Sequence, residues 1–162
     1  MNKLLEKSFL FWSIKEYAMD ICEFLQIDLP TIKIVSNKPT MATYYPHNDT
    51  IEISDTYDTD YDYTFAITHE LRHKWQIKHK HFKLSEYIEF TNKESDEEYH
   101  MQAVEMDANA FSFAINVVYL DIEPTSIKYS TRVMNVLLPK VKTMIGEIFS
   151  DRVPRFVNTV LN

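Results

Sequence analysis

Thr68-His69-Glu70-Leu71-Arg72-His73 is the stretch from which the rest of the chain can be read. Residues four apart on a helix share a face, so His69 and His73 can direct neutral ring nitrogens at one tetrahedral ion, with Glu70 set to reach a water bound to it. A His-Glu-x-x-His pattern at this spacing points to a catalytic zinc site. The surroundings predict the helix that the motif needs. Phe65-Ala66-Ile67-Thr68 is apolar and holds no breaker, and Ile67, Leu71 and Trp75 recur at four-residue steps, giving a buried stripe beside the histidines over roughly residues 64–78.

The 162 residues, 45% hydrophobic and 14% aromatic, suffice for one globular domain with a real core, and a single domain over residues 1–162 is expected. The formal charge of −7 and the absence of a Lys/Arg cluster argue against nucleic acid or an anionic membrane as the main partner. Cys22 is the only cysteine, which excludes an internal disulfide and makes a reducing cytoplasm the simplest location, with the thiol read as core. Near the N-terminus Phe9-Leu10-Phe11-Trp12 is flanked by Glu6, Lys7, Lys15 and Glu16 and no small-residue cleavage site follows, so it does not read as a signal peptide. No apolar run is long enough to span a bilayer. One glycine in the whole chain excludes the Gly-rich loops that cradle nucleotide phosphates.

The expected fold class is α+β: an N-terminal helix, a small twisted and mostly antiparallel sheet, the motif helix, then a mostly helical C-terminal half. Residues 3–27 read as an amphipathic helix ending before Asp28-Leu29-Pro30. Ile32–Val35, Met41–Tyr45 and Thr50–Ile53 read as strands, with Pro46-His47-Asn48-Asp49 as the turn between the last two. Residues 55–62 read as an acidic, tyrosine-rich loop leading into the motif helix. Ser95 and Glu98 form a capping-box pattern that opens one long helix from about Asp96 to Leu120, and two further helices are expected over about Ser126–Leu137 and Pro139–Phe149. The tail from Asp151 has a weaker helical pattern.

The helix over residues 96–120 carries the second half of the site. Its circumference is almost wholly apolar apart from one stripe, Gln102, Glu105, Asn109, Ser112 and Asn116, and no Lys or Arg occurs from His100 to Leu120. A line of amides around one carboxylate suits polar groups with internal partners better than it suits a solvated face. Zinc held by His69 and His73 needs a third protein ligand, and Glu105 is better placed to supply it than Asp107, which points roughly the opposite way on the helix. Asn109, one turn on, can accept a hydrogen bond from the far nitrogen of a liganding imidazole.

These residues resemble the gluzincin metallopeptidases, and within them the short ImmA/IrrE-like and minigluzincin proteins. The resemblance rests on His69-Glu70-Leu71-Arg72-His73 and on Glu105-Met106-Asp107-Ala108-Asn109-Ala110-Phe111, in the family's order of elements, and covers about residues 30–120. It implies His69, His73 and Glu105 as ligands of one Zn2+ per chain, Glu70 as general base, and a peptide or protein as substrate. It also implies that the strand before the motif helix, with Ala42, Thr43, Tyr44 and Tyr45, pairs along its edge with an extended substrate. For the family's oxyanion-stabilising residue the candidates are Tyr44, Tyr45, His100 and Arg72. No helix-turn-helix segment accompanies the motif.

The expected chemistry is hydrolysis of a peptide bond by metal-activated water, with Glu70 moving the proton. Other readings compete. His79 and His81 lie at positions reminiscent of metzincin and SprT-type third ligands, but the glycines those patterns require are missing and solvated histidines explain them better. A latent or non-catalytic zinc-binding module acting through protein interaction is the alternative function, and a metal-free helical interaction protein using Tyr57, Tyr61 and Tyr63 is a third.

Overall fold

The computed structural model describes residues 3–56, 60–82, 96–120 and 129–148. The fold is α+β: α1 (Lys3–Leu25), β1 (Thr31–Val35), β2 (Ala42–Tyr45), β3 (Thr50–Ser54), α2 (Asp60–Lys78), α3 (Asp96–His100), α4 (Ala103–Leu120) and α5 (Thr131–Ile148). Tyr57, the capping Ser95, the expected helix start at Ser126 and the tail from Asp151 lie outside the described residues. The chain divides into two compact units, residues 1–75 and 76–162, and the division falls inside α2.

In the first unit α1 buries Ile14, Ala18, Ile21, Cys22 and Leu25. It ends where Gln26 takes a left-handed φ of 53° and the Ile27 amide donates to the Cys22 carbonyl at 3.0 Å, a closure typical of helix C-termini. Cys22 is core, and burial pushes its thiol up to about 11, outweighing the pull of the Lys74 ammonium; it stays protonated at neutral pH. The three strands lie in the order β1-β3-β2.

The sheet is mixed rather than mostly antiparallel. β2 and β3 form the expected hairpin, whereas β1 pairs parallel with β3, Ile32 opposite Ile51 and Ile34 opposite Ile53. The short connection from Val35 to Ala42 reverses the chain while leaving one strand's width, and β3 fills it after the turn at residues 46–49. Ile51 and Ile53 of this central strand are fully buried. On α2, Ile67 and Leu71 are fully buried as their spacing requires, and the Tyr17 hydroxyl from α1 meets the Thr68 hydroxyl at 2.6 Å.

In the second unit the long helix expected over residues 96–120 is broken. The Gln102 amide donates to the Tyr99 carbonyl at 3.2 Å, a tightened turn that ends α3, and α4 restarts at Ala103. The two expected C-terminal helices are instead one. α5 runs through Pro139, although an interior proline removes a hydrogen bond and costs about 3 kcal/mol in a free helix. Val133, Leu137, Val141 and Ile145 form one buried stripe on both sides of Pro139, and Pro139 and Asn135, whose carbonyl loses the bond, are exposed, where water can serve it. Packing against α4 thus carries the helix past the proline. Ser130 caps α5, its hydroxyl accepting from the Val133 amide at 3.2 Å.

Among the described residues no helix is long and apolar enough to cross a membrane. Leu71→Ala should lower the unfolding free energy by about 2–5 kcal/mol, read as a lower urea midpoint, because Leu71 has no access to solvent and its truncation leaves a cavity in the middle of α2.

Candidate metal centre

α2 carries its chemistry on adjacent stripes. His69 and His73, both half-buried, bring their Nε2 atoms to 2.9 Å with ring centroids 4.5 Å apart, and Phe65 stacks on His69. Two nitrogen ligands held about 2.0–2.1 Å from a tetrahedral zinc stand roughly 3.3 Å apart, so the rings need to open by only a few tenths of an ångström. The neighbouring stripe, Glu70 and Lys74, faces the hairpin. Glu70 Oε2 accepts from the Tyr44 amide at 2.7 Å, and the Lys74 ammonium donates to Asp49 Oδ2 at 2.6 Å.

In the second unit the polar stripe of α4 is interior: Glu105, Asn109, Ser112 and Asn116 are all buried. Glu105 is wholly inaccessible, and Oε1 accepts from the Tyr99 hydroxyl at 2.9 Å. The break between α3 and α4 makes this bond possible, since Tyr99 belongs to the short helix and Glu105 to the next. The Asn109 carbonyl accepts from the Tyr129 hydroxyl at 2.9 Å, a partner other than the imidazole expected for it. His100 stands edge-on to the Tyr129 ring at 4.8 Å and lies 3.4 Å from Asp96. Asp107 is engaged elsewhere: Gln76 donates to Asp107 Oδ2 at 2.8 Å and to the Val104 carbonyl at 3.0 Å.

His69, His73 and Glu105 each offer one ligand atom within 4.8 Å of the others, a group that could hold a metal ion. The donor set suits one, with two imidazoles and a carboxylate buried on α4, a helix that carries no Lys or Arg. His79 and His81 are not part of this group, and His81 is exposed at the end of α2.

β2 lies at the edge of the sheet. Ser54 donates to the Met41 carbonyl, so the bonding pairs fall on odd-numbered residues of β2, and the backbone groups of Ala42 and Tyr44 face outward. The outward Tyr44 amide is held by Glu70, and the Ala42 carbonyl accepts from the Thr43 hydroxyl at 2.7 Å. The Tyr44 hydroxyl donates to Asp49 Oδ1 at 3.0 Å, and burial together with that acidic neighbour holds it well above the ordinary phenol range. Tyr45 accepts from Lys38 at 3.4 Å, and Arg72 lies 3.8 Å over the Trp75 ring. Sequence reasoning missed Tyr99, Tyr129, Asp49 and Lys74 as neighbours of the site. Only Lys74 carried a signal, being one turn after Glu70 on the same face.

Comparison with family models, with curated proteins and with solved structures finds no match, so the assignment stands on these residues themselves. Tyr99→Phe should weaken binding of a divalent metal ion at this group about tenfold in a competition titration against a chelating dye, because a candidate carboxylate ligand left without its orienting hydrogen bond binds less well.

Proposed function

We propose that the chain is a zinc-dependent metalloendopeptidase of gluzincin type, with His69, His73 and Glu105 as metal ligands and Glu70 as general base. The observation that carries the reading is the group of two imidazoles and one buried carboxylate within 4.8 Å, with Glu70 next to His69 on the same helix. The likeness to the ImmA/IrrE-like and minigluzincin proteins in the two motifs supports it, as does the edge position of β2.

A bound zinc ion would lower the pKa of a coordinated water towards neutrality and polarise the scissile carbonyl. The protein's own residues do the rest. Glu70 has one oxygen fixed on the Tyr44 amide and a second with which to take the water's proton and pass it to the leaving amine. Tyr99 orients Glu105. An extended peptide laid along the β2 edge would run past Ala42 and Tyr44, whose amide Glu70 already holds, and so lie beside Glu70. The lone buried thiol agrees with a reducing compartment such as the cytoplasm.

Glu70→Gln separates catalysis from binding, because the glutamine carbonyl can still accept from the Tyr44 amide while the side chain can no longer take a proton. The variant should hold one zinc per chain and hydrolyse an unstructured peptide library at least about a hundredfold more slowly. Equal turnover would remove Glu70 from the mechanism. His73→Ala should lose zinc in elemental analysis, and full stoichiometry there would refute the ligand set. Zinc-loaded wild-type protein with no chelator-sensitive turnover would establish the non-catalytic module instead.

A further inference from the structure

Four residues of the first unit form a closed circuit. Lys74, buried on α2, donates to Asp49 Oδ2 at 2.6 Å; Asp49 Oδ1 accepts from the Tyr44 hydroxyl at 3.0 Å; the Tyr44 amide donates to Glu70 Oε2 at 2.7 Å. Glu70 and Lys74 are one helical turn apart, which closes the ring. Tyr44 is therefore held at both ends, its hydroxyl through Asp49 to Lys74 and its backbone directly to Glu70.

Each link has a physical reason to persist. A buried ammonium is costly without an anion, so Lys74 requires Asp49. Asp49 sits at the end of the β2–β3 turn with a left-handed φ of 50°, a conformation that aspartate tolerates better than most residues, and this turn also leads directly into Thr50 of β3. An outward amide on an edge strand ordinarily faces water, but here it meets a carboxylate that is itself only 8% exposed.

From this circuit we infer that Asp49 and Lys74 are positioning residues for Glu70, acting through Tyr44 to keep the β2 edge amide on Oε2, so that Glu70 presents its other oxygen in one fixed orientation beside the strand where a peptide would pair. The catalytic consequence rests on the reading of Glu70 as general base; the positioning itself does not. A general base held in one rotamer loses no entropy on reaching the proton, so loosening the circuit lowers kcat and leaves KM little changed.

Amide hydrogen exchange, followed by NMR on the metal-free full chain, tests the positioning without any enzymatic assay. In the wild type the amide at position 44 should be protected at least about a hundredfold relative to an unstructured amide, comparably to those of Thr43 and Tyr45, which face β3. Glu70→Ala should abolish protection at position 44 alone. Tyr44→Phe removes only the hydroxyl link, and Asp49→Asn removes the charge that Lys74 needs; each should reduce protection at position 44 about tenfold while the amides of Thr43 and Glu52 keep theirs. Should Asp49→Asn fail to fold, Tyr44→Phe decides. Wild-type exchange at position 44 as fast as in a solvated amide, or unchanged protection in Tyr44→Phe, overturns the inference. In a peptide assay Tyr44→Phe should lower kcat about tenfold with KM within about twofold, and a change confined to KM overturns the catalytic consequence. If wild-type protein shows no turnover while the exchange pattern is as expected, the positioning holds and the peptidase reading alone fails.

Discussion

Burial of the polar side chains of α2 is the constraint from which the arrangement follows. Glu70, Arg72, Lys74 and Gln76 are each no more than 8% exposed, and a helix can bury such groups only where every one of them meets a partner. Glu70 takes a backbone amide of β2, Lys74 the carboxylate at the hairpin turn, Arg72 the face of Trp75, and Gln76 a carbonyl and a carboxylate of α4. The partners of Glu70 and Lys74 lie on the β2–β3 hairpin and fix which face of α2 the sheet meets, whereas Trp75 lies on α2 itself. Because the histidines lie between these stripes, the same facing aims His69 and His73.

Much of this was legible in the sequence, for reasons that differ by residue. Ile67 and Leu71 announced a buried face because apolar residues at helical spacing have few other uses, and Ile32–Val35 and Thr50–Ile53 announced strands because alternation and β-branching coincide there. The stripe Gln102, Glu105, Asn109, Ser112, Asn116 could be read as interior because a solvent-facing stripe would carry lysine or arginine, and all but Gln102, which falls in the break before α4, are buried. The partners of those residues could not. Tyr99 and Tyr129 reach Glu105 and Asn109 with hydroxyls at the end of long side chains, and no periodicity in the chain encodes which carbonyl or carboxylate a tyrosine will meet.

The two departures in the helical half share one cause, local signals overruled or supplemented by packing. Pro139 is a strong stop, yet the stripe from Val133 to Ile145 gains more by lying unbroken along α4 than the proline loses on the exposed side. The reverse holds at Met101 and Gln102, where nothing in the composition forbids a helix and the chain nevertheless turns. Glu97 is tied to Ser130 and Arg132 at the start of α5, and these contacts hold its carboxyl below the ordinary carboxylate range. α3 is thereby directed by the α5 terminus, while α4 is directed by its own buried stripe, and one straight helix cannot serve both.

That break also explains why one acid of α4 and not the other belongs to the metal group. Glu105 and Asp107 are two residues apart and face different ways, so only one of them can lie on the buried polar stripe with Asn109 and Ser112. Gln76, itself only 2% exposed, binds Asp107 and the Val104 carbonyl together, which sets the rotation of the first turn of α4. Tyr99, carried by the broken-off α3, reaches the opposite acid. The glutamine and the tyrosine thereby sort the two carboxylates: Asp107 accepts from an amide, and Glu105, on a helix that carries no lysine or arginine, is oriented by a phenol hydroxyl. A buried carboxylate held that way adds little stability by itself and suits a metal ligand, which is why a group of this composition could hold a cation.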